Sequence, residues 1–158
     1  MIRPAQCLSS NRFAQQRVVL RTPGMKSQHQ PKLSVLVVDD SLPMRAHLRT
    51  MLAQEPGLCL SGEADNGADA VEFFFRHCPD VVLLDVCLPD RNGFEVMQCF
   101  KQAAPGCVVI LLSDSPDPCV DEVSQMLGAT EVCHKASELN RIREILRGLV
   151  QAQAAVLA

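Results

Sequence analysis

The chain has 158 residues, 47% of them hydrophobic, which is enough for one domain with a sizeable core and excludes a wholly disordered tail. Trp and Tyr are absent and six Phe supply all the aromatic content, so platforms for stacking single-stranded bases are poorly provided. The net charge of -3 hides a split: Arg3, Arg12, Arg17, Arg21, Lys26 and Lys32 stand in an acid-free stretch, while nine basic and 18 acidic residues share the remainder, a balance that disfavours direct DNA binding.

Residues 1–31 contain Arg, Gln and Ser with weak periodicity and are expected to form a disordered basic arm. Two readings of this arm stay open. It is either a targeting or docking segment, since transit peptides share the composition, or an over-long start ahead of a compact domain that begins at Lys32. No run reaches the ~20 apolar residues of a membrane span, and the start lacks the apolar block of a secretory signal. The protein is therefore expected in the cytoplasm, away from the membrane. Its eight cysteines, at positions 7, 59, 78, 87, 99, 107, 119 and 133, form no Cys-x-x-Cys pair, which argues against a zinc site or a dithiol redox centre and fits a reducing compartment.

From Lys32 the pattern alternates between short apolar runs and helical periodicity, which predicts five βα units. Strands are expected near 33–38, 58–63, 80–85, 107–112 and 130–134. The first helix runs from Ser41, a capping residue, to Gln54, with Met44, His47, Leu48, Met51 and Leu52 on one face. The second runs from about Ala68 to His77, burying Val71, Phe74 and Phe75 and leaving Phe73 the more exposed of the three. The uninterrupted apolar runs before Asp85 and Ser113 suit central strands covered on both faces. After the turn-rich Leu88 to Gly93, a third helix carries Phe94, Val96, Met97 and Phe100 and stops before Pro105-Gly106. A fourth spans about Pro116 to Gly128, and a fifth, capped by Ser137, places Leu139, Ile142, Ile145, Leu146 and Leu149 on one stripe. Residues 151–158 offer only a small-residue tail, which makes 32–150 the folded unit.

The chemistry gathers where strands end. Asp39-Asp40, Asp85, Ser113 and Lys135 each end a predicted strand, and in a parallel α/β sheet ligands bind at the carboxyl ends of the strands. Three carboxylates, a hydroxyl and an ammonium together suit a divalent cation and a phosphoryl group. Taken singly, each has a plainer explanation. Asp39-Asp40-Ser41 can simply begin a helix, and Asp85, Ser113 and Lys135 can be a strand end, a loop hydroxyl and a surface cation. His29, His47, His77 and His134 share no spacing and are assigned to surface or packing.

Val-Val-Asp-Asp at 37–40, Leu-Leu-Asp-Val-Cys-Leu-Pro-Asp-Arg-Asn-Gly at 83–93, Leu-Leu-Ser at 111–113 and Gly-Ala-Thr-Glu-Val-Cys-His-Lys at 128–135 resemble, in order, the motifs of the receiver domain of two-component response regulators. The resemblance covers roughly residues 32–150. It implies an α/β flavodoxin-like (βα)5 fold, a doubly wound parallel sheet with strand order 2-1-3-4-5. It also implies that Asp85 is the phosphoacceptor, assisted by Ser113 and Lys135. Mg²⁺ would be bound by Asp40, Asp85 and the backbone carbonyl of Cys87, with Asp39 acting through water.

The implied partners are a histidine kinase or phosphotransfer protein upstream and a protein target downstream, met by the face of helix 4, strand 5 and helix 5; a homodimer is compatible with this layout. Catalysis would be limited to the protein's own phosphorylation and dephosphorylation. With under ten residues after the last predicted helix, the layout is that of a stand-alone receiver. Three residues depart from the family pattern: Val132 stands where an aromatic is usual, Asp114 where a small residue follows the hydroxyl, and Ala136 where proline is frequent. The alternatives are a pseudo-receiver that binds partners without phosphorylation and an unrelated phosphatase with an Asp nucleophile, the latter short of the elements needed to exclude water.

Overall fold

The computed structural model describes residues 31–157, so the predicted basic arm at 1–31 lies outside the described residues but for Pro31. Five strands form one parallel sheet: β1 (Leu33–Val38), β2 (Leu58–Ala64), β3 (Val81–Asp85), β4 (Val108–Ser113) and β5 (Glu131–His134), in the spatial order β2-β1-β3-β4-β5. This is the predicted order. Five helices connect and follow them: α1 (Leu42–Ala53), α2 (Gly67–His77), α3 (Gly93–Ala103), α4 (Pro118–Met126) and α5 (Leu139–Leu157).

The two-residue period of the strands sorts their side chains into two cores. Val35 and Val37, Val81 and Leu83, and Ile110 and Leu112 pack with Leu48, Met51 and Leu52 of α1 and with Ile142 and Leu146 of α5. The alternate residues, Leu36, Val38, Val82, Leu84, Val109 and Leu111, pack with Phe74 of α2 and with Val96, Met97 and Phe100 of α3. Phe74 and Phe100 stack with centroids 4.1 Å apart at 15°, joining α2 to α3. Because both faces are covered, Val35–Val38 of β1, Val81–Leu84 of β3 and Val108–Leu112 of β4 are apolar without interruption.

Local chemistry starts four of the helices. Ser41, Asn66, Asn92 and Asp117 precede α1, α2, α3 and α4, and each accepts a backbone N–H of the first turn on its side chain. For α5 the predicted cap is one residue early. Glu138 precedes Leu139, its carbonyl accepts the Ile142 N–H, and its carboxylate accepts the His134 N–H at 2.7 Å.

Two further expectations are corrected. His47 is exposed, so the buried stripe of α1 is Leu48, Met51 and Leu52. Phe73 and Phe75 are both half-buried, and the Phe73 ring lies over Gly62, where a Cβ would come within 2.3 Å of it. Residues 151–157 continue α5 instead of forming a tail, since Ala and Gln are strong helix formers. Among the described residues, no helix is long and apolar enough to cross a membrane.

One ion pair closes the end of the fold opposite the strand tips. Glu55, 7% exposed in the α1–β2 turn, accepts two hydrogen bonds from Arg147 of α5, at 2.8 and 2.9 Å, and Arg143 approaches within 3.5 Å. The Arg147 hydrogen bonds outweigh burial and, with the charges of both arginines, hold the Glu55 carboxyl below the usual carboxylate range. A lowered folded-state pKa contributes stability above the unfolded value and loses it as pH falls through the folded value. Glu55→Gln should therefore cost about 1–2 kcal/mol at neutral pH. The gap to wild type should close as the pH falls below about 4, read from urea unfolding at both pH values.

Candidate functional site

β1, β3, β4 and β5 all end on one edge, and the sequence breaks from apolar to polar there. Asp39, the first residue after β1, is fully buried; its Oδ1 accepts the Ser41 N–H at 2.8 Å, and its carbonyl accepts Arg45 Nη1 at 2.7 Å. Asp40 beside it is exposed. Asp85 is the last residue of β3, 1% exposed, and its Oδ1 accepts the Cys87 N–H at 3.0 Å. Ser113 ends β4 and is 6% exposed. Lys135 follows β5, and its N–H donates to the Ser113 carbonyl at 2.9 Å, extending the ladder by one residue.

That extension starts the lysine side chain from a fixed point. Lys135 Nζ lies 2.9 Å from Asp39 Oδ2 and 2.9 Å from Asp85 Oδ2, with its side chain only 8% exposed. A third carboxylate, Asp114 Oδ1, stands 3.5 Å away on the solvent side. Burial works against the charge on Lys135, but the close contacts and charges of Asp85 and Asp39 overcome it, so its pKa is raised and the ammonium persists. Burial pushes the Asp85 carboxyl above the usual carboxylate range against the downward pull of Lys135 and Cys87, and the charge of Asp39 adds to the rise.

The residues fit a hard divalent cation. Among the described residues, Asp39, Asp40 and Asp85 are the only three metal-ligating side chains that gather, with one carboxylate oxygen from each within 4.8 Å of the others. Asp39 Oδ2 is buried and has no hydrogen bond, only the ionic contact with Lys135. Three carboxylates against one ammonium leave net negative charge in a mostly buried place, which a cation relieves.

The structure thus brings Asp39, Asp40, Asp85 and Lys135 together. Ser113 reaches the same edge, but its hydroxyl donates to the Ser115 carbonyl at 2.8 Å, away from any side chain of the acidic group. Cys87 contributes its N–H to Asp85, and its side chain is exposed. Among the described residues, Cys59, Cys87, Cys99, Cys119 and Cys133 are free, and burial pushes the Cys133 thiol up to about 11.

Sequence reasoning missed the fastening of the loop after Asp85. Asp90 accepts the N–H groups of Gly67 at 2.7 Å and Ala68 at 2.9 Å, capping α2 from a distant loop. Gly93 lets the chain turn back over Asp85: a Cβ there would fall 2.2 Å from the Asp85 carbonyl oxygen, and the Gly93 N–H donates to the Val86 carbonyl at 2.8 Å. Asp90 sits in a run of turn residues, and nothing local marks its partner. On the outer side, a cavity of about 340 Å³ opens between α4, β5 and α5, with Val132, Asp121, Glu131, His134 and Arg141 in its lining.

Residues 35–147 match the family model of the response regulator receiver domain. A protein-glutamate methylesterase/protein-glutamine glutaminase of Halalkalibacterium halodurans is 32% identical over 123 residues, covering 74% of this chain and 36% of that protein. The chain spans about a third of the length of the first curated relatives it matches. The response regulator domain of Thermotoga maritima CheB has a TM-score of 0.68 at 26% identity over 77% of this chain and 96% of that one. The signal receiver domain of the response regulator NarL of Mycobacterium tuberculosis has a TM-score of 0.71 at 28% identity, over 77% and 98%. With the matching fold, the acidic group at the strand tips and the lysine that bridges it, the chain belongs to the response regulator receiver domain family of two-component signalling.

Proposed function

We propose that this receiver takes a phosphoryl group on Asp85 from a phosphohistidine of a histidine kinase or phosphotransfer protein in the cytoplasm. The observation that carries this reading is the arrangement at Asp85: Oδ1 is fixed by the Cys87 N–H at 3.0 Å, and Oδ2 lies 2.9 Å from the Lys135 ammonium. A carboxylate held at both oxygens is positioned before the donor arrives, and positioning with charge stabilisation is most of what phosphoryl transfer asks of a protein.

A carboxylate oxygen of Asp85 attacks phosphorus, the P–N bond to the donor imidazole breaks, and the ring leaves with the electron pair. The product is an acyl phosphate. Lys135 then turns its charge from the two carboxylates to the phosphoryl oxygens. Ser113 releases the Ser115 carbonyl and donates its hydroxyl to the phosphoryl group, drawing the β4–α4 loop with it. Water later attacks phosphorus, which restores the carboxylate and releases inorganic phosphate, so turnover is confined to the protein's own modification.

Asp40, Asp85 and the Cys87 carbonyl would hold Mg²⁺, with Asp39 acting through water, because both Asp39 oxygens are already committed to Ser41 and Lys135. When bound, Mg²⁺ supplies the positive charge that offsets the carboxylates and the phosphoryl oxygens. The output surface is the face of α4, β5 and α5, where the cavity beside Val132 would receive a partner side chain.

Incubation with acetyl phosphate and Mg²⁺ should add one phosphoryl group by intact mass, and either Asp85→Asn or a chelator should abolish it. Absence of labelling from acetyl phosphate and from a phosphohistidine donor alike would leave the chain a pseudo-receiver. In chelator, Asp85→Asn should raise the unfolding free energy at neutral pH, because a raised carboxyl pKa marks a charge that the folded state disfavours. That gain should shrink as the pH falls through the raised folded-state value and be gone below about 4, where the wild-type carboxyl is protonated in both states. Millimolar Mg²⁺ should raise the thermal midpoint of wild type and leave that of Asp85→Asn nearly unmoved.

A further inference from the structure

Asp114 has no structural duty that explains it. It is 72% exposed, and Asp117, not Asp114, caps α4, accepting the Cys119 N–H at 2.9 Å. Its backbone is nevertheless held on both sides: Ser113 Oγ donates to the Ser115 carbonyl at 2.8 Å, and the Ser115 N–H returns to Ser113 Oγ at 3.4 Å. This clasp fixes the residue between them at the mouth of the site, with Oδ1 3.5 Å from Lys135 Nζ. The ammonium is already matched by Asp39 and Asp85 at 2.9 Å each, so the Asp114 charge is largely surplus and faces the solvent from which a donor comes.

We propose that Asp114 is a specificity residue that selects phosphodonors by charge: it repels small anionic donors and favours a phosphohistidine presented beside cationic side chains of a partner protein. This rests on Asp85 being the acceptor. With acetyl phosphate, the Asp85 oxygen attacks phosphorus, the P–O bond to the acetyl group breaks, and acetate leaves with the electron pair. The incoming dianion brings no cation to meet Asp114. A protein donor with Lys or Arg next to its phosphohistidine pairs with the exposed carboxylate and turns the same charge into attraction. A unit charge several ångströms away in a solvent-exposed place changes a rate by a small factor and is screened by salt.

The test compares initial rates of phosphorylation by intact mass, with Mg²⁺, for wild type, Asp114→Asn, Asp114→Ala and Asp114→Glu. The donors are acetyl phosphate and phosphoramidate, whose protonated amine lowers its net charge. With acetyl phosphate at low salt, Asp114→Asn and Asp114→Ala should be about three- to tenfold faster than wild type, and Asp114→Glu no faster. The gap should shrink by about 0.5 M salt and be smaller with phosphoramidate. Equal rates for all four proteins would overturn the proposal. So would a gain for Asp114→Ala alone, which would mean bulk and not charge, or a gap that salt does not narrow. If no protein is labelled by either donor, the assignment of Asp85 as acceptor fails, and the role of Asp114 fails with it; labelled proteins with equal rates remove only the latter.

Discussion

One ammonium holds the carboxyl edge of this sheet together. Lys135 leaves the edge strand β5, crosses β4 and sets its charge between Asp39, after β1, and Asp85, on β3. Both carboxylates are buried, and a buried charge that loses its partner costs about 3–5 kcal/mol, so the lysine is as much a structural tie as a chemical one. The same placement makes the site poised. Its cation is satisfied by carboxylates alone, and anything that brings better-placed negative charge to Asp85 can claim it. The rise in the Asp85 pKa comes from the same crowding and burial, so the tension that invites a metal is built into the backbone positions of the strand ends.

Much of this was visible in the chain because the features are local. A parallel strand covered on both faces is an unbroken apolar run, and the first polar residue after it stands at the ligand-binding edge, which is how Asp39, Asp85 and Ser113 could be located; Lys135 follows the mixed edge strand β5 and was placed by its motif. Ser41 marked its helix for the same reason, since a cap acts on residues two or three positions away. What escaped detection depends on distant partners. Glu55 meets Arg147 across 92 positions and Asp90 meets Gly67 across 23, and neither carboxylate differs locally from an ordinary surface acid. Phe73 is covered because Gly62 on β2 leaves room for its ring, a matter of which strand passes beneath. The α5 extension is a different kind of miss: Ala152, Ala154 and Ala155 are strong helix formers, and small size hid their propensity.

The outer half of the molecule is built more loosely than the inner half. α4 has nine residues and buries only Ser124 fully, while Val123 and Met126 are exposed and Val120 and Leu127 are partly covered. Beside it, half-buried Val132 lies against the core that includes Leu111. A short branched side chain here fills less space than an aromatic ring, and the cavity between α4, β5 and α5 borders it. The β4–α4 loop and α4 are therefore the loosely held elements beside the site, and Val132 puts no long side chain between them and the core.

The staple made by Asp90 divides the protein mechanically. By gripping the first two N–H groups of α2, it fastens the loop after Asp85 to the neighbouring helix, and Gly93 presses that loop onto the strand end. The left flank of the site therefore behaves as a stator. On the right flank, the residues from Asp114 to Cys119 are all exposed, held by the Ser113 hydroxyl clasp, the Asp117 cap and the longer Asp114–Lys135 contact. The two flanks of Asp85 are thus unequally fastened, one tied across the fold to α2 and the other held by its own near neighbours.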